Sequence, residues 1–225
     1  MGKRVFAMGL PVLLGLSVVC GAARAMTLVE TGGDTEVGIL VGPTSAYSAI
    51  AVGFELDADY DDVTFEAELV CISCTGFLQI HANAIGPGAS ALDIIDGFDL
   101  TSSTPGVNDP GLQEFFSFGS LSAGSYYAIY SVTAGTGAWQ SLQGNETVQT
   151  TGSNTFLGQF GAETLGANPY SSPFDLLPSD TDGLLYFRVS GTPAPPPPIP
   201  LPAGIWLMLS ALLGAAGWTA RKASA

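Results

Sequence analysis

Residues 49–84 read AIAVGFELDADYDDVTFEAELVCISCTGFLQIHANA, and this run decides the fold class. Ile50, Val52, Phe54 and Leu56 alternate with Ala49, Ala51, Gly53 and Glu55. A period of two is what a strand shows when one face lies on a core and the other on water. After the turn-forming Asp57-Ala58-Asp59-Tyr60-Asp61-Asp62 the alternation resumes, with Val63, Phe65, Ala67, Leu69 and Cys71 set against Thr64, Glu66 and Glu68. From Phe77, a third run puts Leu78, Ile80, Ala82 and Ala84 inward and Gln79, His81 and Asn83 outward. Three such runs in succession predict an antiparallel meander, with His81 facing solvent.

Outward from this run the same grammar continues. Residues 86–111 are rich in Gly and Pro and leave room for one short strand near 91–95. Strands follow at 112–118 and 126–133, joined by the turn Leu121-Ser122-Ala123-Gly124. Residues 141–151 predict a hairpin around Gly144-Asn145, because Gly and Asn tolerate positive φ. Pro169, Pro173 and Pro178 mark 154–183 as a long loop, before a last strand at 184–190. Upstream, short strands begin at Thr35. Nothing between the termini sustains a 3.6-residue period. The expectation is an all-β domain over residues 26–191, a β-sandwich of jelly-roll type with about eight to ten strands.

The two ends read as addresses. Lys3 and Arg4 precede an apolar stretch at 5–19, and Ala23-Arg24-Ala25 supplies the small residues of a cleavage site, so 1–25 reads as a signal peptide that forms a helix. At the other end, 192–202 is a Pro-rich spacer. Residues 203–220 are 18 positions without a charge. As a helix they would extend roughly 27 Å, close to the about 30 Å of a hydrocarbon core. Arg221 and Lys222 follow and belong on the cytoplasmic side. The segment 203–225 therefore reads as a transmembrane helix with a basic tail, the domain facing the periplasm.

Charge narrows the function classes. All 20 acidic residues lie between Glu30 and Asp182, and within 26–200 only Arg188 is basic, so this part of the chain carries a net charge of −19. Such a field repels nucleic acid and anionic lipid and favours solubility and cations. Nucleic acid is excluded as a partner.

Candidate chemistry is sparse. Cys71 and Cys74 are the pair left after signal removal, at a strand-to-strand turn and in a compartment where disulfides form, which points to a hairpin-stapling disulfide. Asp57, Asp59 and Asp61 crowd one turn, with Glu68 eleven positions after Asp57. That spacing imitates a Ca2+ loop, but Asp62 stands where the sharp turn needs Gly. No cofactor is expected beyond a Ca2+ ion that Asp57, Asp59 and Asp61 would ligate; the alternative is a solvated turn, as it is for Asp180-Thr181-Asp182-Gly183. One histidine and no G-x-S-x-G argue against hydrolytic catalysis, so the chain does not read as an enzyme. Trp139, Tyr126, Tyr127, Tyr130 and Tyr170 are either core or a sugar-stacking platform.

Ile199-Pro200-Leu201-Pro202-Ala203, the apolar segment and the basic pair Arg221 and Lys222 together resemble the VPLPA-CTERM branch of the PEP-CTERM sorting signals, with Ile199 in place of Val. The resemblance covers about the last 30 residues of the chain. It implies an exosortase, a membrane-embedded cysteine transpeptidase of Gram-negative bacteria, as processing partner. It also implies a protein first anchored in the inner membrane and then released to the cell surface or beyond. Two roles fit: a structural or interaction protein of the surface or matrix, or a module binding extracellular polysaccharide, with Ca2+ assisting. The polysaccharide link is implied by the resemblance, since exosortase systems often accompany exopolysaccharide production.

Overall fold

The computed structural model describes residues 24–163, 173–178 and 183–196. The segments 1–23 and 197–225, with the sorting motif Ile199 to Ala203, Arg221 and Lys222, lie outside the described residues, as do Tyr170, Asp180 and Asp182. Among the described residues no helix is long and apolar enough to cross a membrane.

Fifteen strands are described, all in a unit that ends at Pro193. The first eight are β1 (Met26–Gly32), β2 (Thr35–Val41), β3 (Ala49–Leu56), β4 (Tyr60–Ala67), β5 (Leu69–Cys71), β6 (Thr75–Ala82), β7 (Ile94–Thr101) and β8 (Gln113–Leu121). They are followed by β9 (Gly124–Ala134), β10 (Gly137–Gln143), β11 (Thr147–Thr150), β12 (Thr155–Ala162), β13 (Asp175–Leu176), β14 (Leu184–Leu185) and β15 (Phe187–Pro193). A first sheet has the order β11-β1-β15-β4-β8, and a third the order β13-β12-β3-β9-β6-β7. The second sheet, the smallest of the three, runs β14-β10-β2, with β5 also on β10. The named strand pairs are antiparallel, and the fold is all-β and sandwich-like.

Alternation explains how the first and third sheets meet. Val63, Phe65 and Phe187 of the first and Ile50, Val52, Phe54, Leu78 and Ile80 of the third are almost fully buried. Phe54 stacks on Phe65 with ring centroids 6.3 Å apart, and Phe65 stacks on Phe187 at 6.0 Å. Trp139 of β10 meets Phe65 edge-on at 6.2 Å, which brings the second sheet onto the same core. Each of these rings removes on the order of 150–250 Å² from water, the largest favourable contribution a side chain here can make.

Buried polar groups lock the last crossing. Thr31 donates from its hydroxyl to the Leu185 carbonyl at 2.7 Å and accepts from the Phe187 N–H at 3.1 Å. Gln159 donates to the Gly183 carbonyl at 2.6 Å and accepts from the Leu185 N–H at 2.9 Å. The Trp139 indole N–H donates to the Tyr186 carbonyl at 3.0 Å. These bonds satisfy backbone that leaves one sheet for another, where no ladder can do so. They seat β15 between β1 and β4, in the interior of the first sheet.

Four expectations from the sequence need correction. The three runs at 49–84 are strands but no meander: β3 pairs with β9 and β12, β4 with β8 and β15, and β6 with β7 and β9. The turn at Gly144 and Asn145 exists, with φ of 77° and 50°, yet β10 and β11 join different sheets and make no hairpin. Within the supposed loop 154–183 lies β12, a full strand between β3 and β13. His81, expected in solvent, is fully buried. The first two share a cause: a period of two fixes which face a residue takes and is silent about the neighbour across the ladder.

Candidate functional site

The acidic turn sits at the end of the sandwich where the chain leaves it. Tyr60 pairs with Pro193 and Asp61 with Thr192, while Met26 lies opposite Gly191, so β1 begins and β15 finishes at this pole. Two further turns reach the same pole, since Leu56 pairs with Gly124 and Glu55 with Thr155. Asp57 accepts hydrogen bonds from the Ser153 N–H at 2.7 Å and from the Tyr60 hydroxyl at 2.8 Å. Its own N–H donates to Asn154 Oδ1 at 2.9 Å, and Asn154 Nδ2 donates to the Tyr60 oxygen at 3.1 Å. Asp59 turns elsewhere, accepting from the Ala123 N–H at 2.9 Å. The donors aimed at Asp57, Ser153 first and Tyr60 next, hold its carboxyl below the usual carboxylate range.

Asp57 and Asp59 thus tie two different loops to the crossing between β3 and β4. Among the described residues no three His, Cys, Asp or Glu side chains converge as cation ligands. Asp61 lies one strand position beyond, on β4 opposite Ser120. The turn is built as a knot of loops, with Asn154 at its buried centre.

At the opposite pole Cys71 and Cys74 form a disulfide, with sulfurs 2.03 Å apart. It staples no hairpin. β5 pairs with β10 and β6 with β9, so the bridge closes the step from the second sheet to the third. The Tyr130 hydroxyl lies 3.8 Å from Cys74 Sγ and donates to the Val70 carbonyl at 3.0 Å. Gly135 is required beside this step: a side chain there would meet the Ser73 carbonyl oxygen at 1.9 Å, and its φ is +76°. Both sulfurs are buried, so the bridge is a structural tie.

Arg188, the one cation of residues 26–200, is fully engaged. Its guanidinium donates twice to Glu66, at 2.6 and 3.1 Å, and lies 3.8 Å from Glu30. Register continues the row to Glu114. The remaining carboxylates leave the surface with a strong excess of negative charge.

Among the described residues the aromatic platform does not assemble. Trp139, Tyr126 and Tyr130 are buried, and Tyr130's hydroxyl is pushed well up by that burial. Tyr127 stands on the outer face of the third sheet, edge-on to Phe160 at 6.0 Å. His81 lies on that same face, beside Tyr127 in register, with Nε2 3.2 Å from Gln79 Oε1. Burial lowers its imidazole to about 4, the Asp93 charge opposing, so it is neutral at pH 7. A groove of about 490 Å³ beside β2 is lined by Val37, Leu40, Tyr47, Thr136 and Gln143 and presents no acid–base pair.

Glu68 was read as an outward strand residue and is 5% exposed. Ala67 and Leu69 on either side are buried as alternation expects, so the strand is covered on both faces here, which alternation alone does not announce. Thr31 and Gln159, other polar residues that organise the fold, give no sequence signal because their partners are backbone groups far along the chain, and Asn154 gives none because it joins the distant Asp57 N–H and Tyr60 hydroxyl. No protein family, curated protein or solved structure matches the chain.

Proposed function

We propose that this is an exported surface or extracellular-matrix protein: a signal peptide directs it out, a jelly-roll-type sandwich is its working body, and an exosortase processes its tail. The observation that carries the reading is Ile199-Pro200-Leu201-Pro202-Ala203, followed by an uncharged segment and Arg221-Lys222. In this reading 203–225 first holds the protein in the inner membrane with the domain in the periplasm, and processing delivers it to the cell surface or medium. Its role is structural and interactive, without catalysis. Support comes from how the reactive groups are used: His81 is buried, Cys71 and Cys74 are joined, and Arg188 is held by Glu66.

The test is fractionation of the full chain in an exosortase-bearing Gram-negative host and in its exosortase-null derivative. Release to the surface or medium in the first, and retention in the membrane fraction in the second, is the expected result. Identical distribution in both hosts contradicts the proposal.

A second reading is a polysaccharide-binding module. It is favoured by one observation, that Phe77, Tyr127 and Phe160 share the outer face of the third sheet and are each partly exposed. A glycan array read with and without EDTA tests it together with the Ca2+ expectation at Asp57, Asp59 and Asp61. Binding to no glycan in either condition removes it.

A further inference from the structure

Glu68 occupies an unusual place for a carboxylate. It sits between β4 and β5, is 5% exposed, and its Oε2 is buried without a hydrogen-bond partner. The segment that passes beside it is the connection between β7 and β8, residues 102–112, which runs from Asn108 at the Leu69 carbonyl to Gln113 opposite Ala67 and whose Gly111 backbone favours the ionised carboxyl. The same connection is fastened one step away by Asn108. The Asn108 N–H donates to the Leu69 carbonyl at 2.9 Å, its Oδ1 accepts from the Cys71 N–H at 2.8 Å, and its Nδ2 donates to the Cys71 carbonyl at 3.2 Å. Val107 adds an apolar anchor in the core. One fastening in this series is therefore titratable and the others are not.

We propose that residues 109–112 act as a pH-operated strap, docked over Glu68 while that carboxyl is protonated and loosened when it ionises. The physical reason is the cost of a buried charge with an oxygen that nothing solvates. The Gly111 backbone favours the ionised form, but burial opposes it more strongly and Glu36 on β2 adds like-charge repulsion, so the carboxyl titrates above the usual glutamate range. The other groups on this side do not relieve it. Tyr186 is kept neutral by its burial and by Glu30, and Arg188 is held by Glu66 and Glu30. By linkage, the docked form binds the proton more tightly than the open form, so rising pH drives the strap off.

The test is hydrogen–deuterium exchange on the full chain from pH 5 to pH 8, corrected for intrinsic exchange, comparing peptides over 102–112 with peptides over β9. In the wild type, protection of 102–112 falls severalfold as pH rises while β9 stays protected. Glu68→Gln holds its low-pH protection throughout. Glu36→Gln, an exposed substitution that leaves the core untouched, removes the like charge that penalises the ionised docked carboxyl and so reduces the loss of protection at high pH. Flat protection in the wild type, or a loss undiminished by Glu36→Gln, overturns the proposal. So does a parallel loss over β9, which would mark global unfolding.

Discussion

The outer face of the first sheet carries Thr64, Glu66, Arg188, Ser190 and Glu30, whereas that of the third carries Phe77, Ile129, Ala49, Ala51, Phe160 and Ala162. The first is wet and charged. The third is closed: Ala49, Ala51, Ile129 and Ala162 are fully buried under Phe77, Ile85, Phe160 and Phe174. Both sheets present an equally good period of two, in β4 and in β3. What separates them is the chemistry of the outward residues, Thr and Glu on one strand and Ala, Ala and Gly on the other. Alternation of large with small apolar residues is a different signal from alternation of apolar with polar, and it marks a strand covered on both sides.

The comparison can be broken by placing the same charge on each face. Ala51→Asp puts a carboxylate where no water and no cation reach it, and is expected to cost about 3–5 kcal/mol in urea unfolding. Thr64→Asp on the wet face should stay within about 0.5 kcal/mol. Equal costs would show that the two faces do not differ.

Acid should also act on the closed face before the open one. The folded His81 imidazole titrates at about 4 and the unfolded one near 6.5, so its contribution is complete above pH 6.5 and is lost as pH falls toward 4, where the unfolded chain takes up a proton first. The loss amounts to at most about 3 kcal/mol. Urea unfolding at stepped pH should show this component in the wild type and lack it in His81→Gln. Superimposable profiles for the two proteins would place His81 in water after all.

On the wet face the expected effect is smaller. Arg188→Gln leaves Glu30 and Glu66 facing each other without their cation and should cost about 1 kcal/mol at low salt, shrinking as salt screens the repulsion. A cost that ignores salt would mean that the arginine acts through packing.

How much was legible follows from the same contrast. Ile50 to Leu56, Val63 to Cys71 and Leu78 to Ala82 announce strands because their large apolar residues fall on one face, and β3, β4, β5 and β6 stand there. Their partners were hidden, since β3 finds β9 and β12 far along the chain and nothing local encodes that choice. β12 was obscured because Pro169, Pro173 and Pro178 marked all of 154–183 as loop, whereas its own Gly158 and Gly161 accommodate Leu176, Leu177 and Tyr47 packed close against the strand. At the acidic turn the sequence revealed the cluster and concealed its use: Asp57 and Asp59 serve N–H groups of Ser153 and Ala123, on loops from elsewhere in the chain. Glu68 resembled any strand glutamate until the 102–112 connection was seen to pass beside it.

Processing of the tail is tested most directly by the intact mass of the protein recovered from the surface or medium of an exosortase-bearing host. The expected mass begins at Met26 and lacks residues 205–225. A mature protein that retains residues 205–225 would contradict processing and leave a plain membrane anchor.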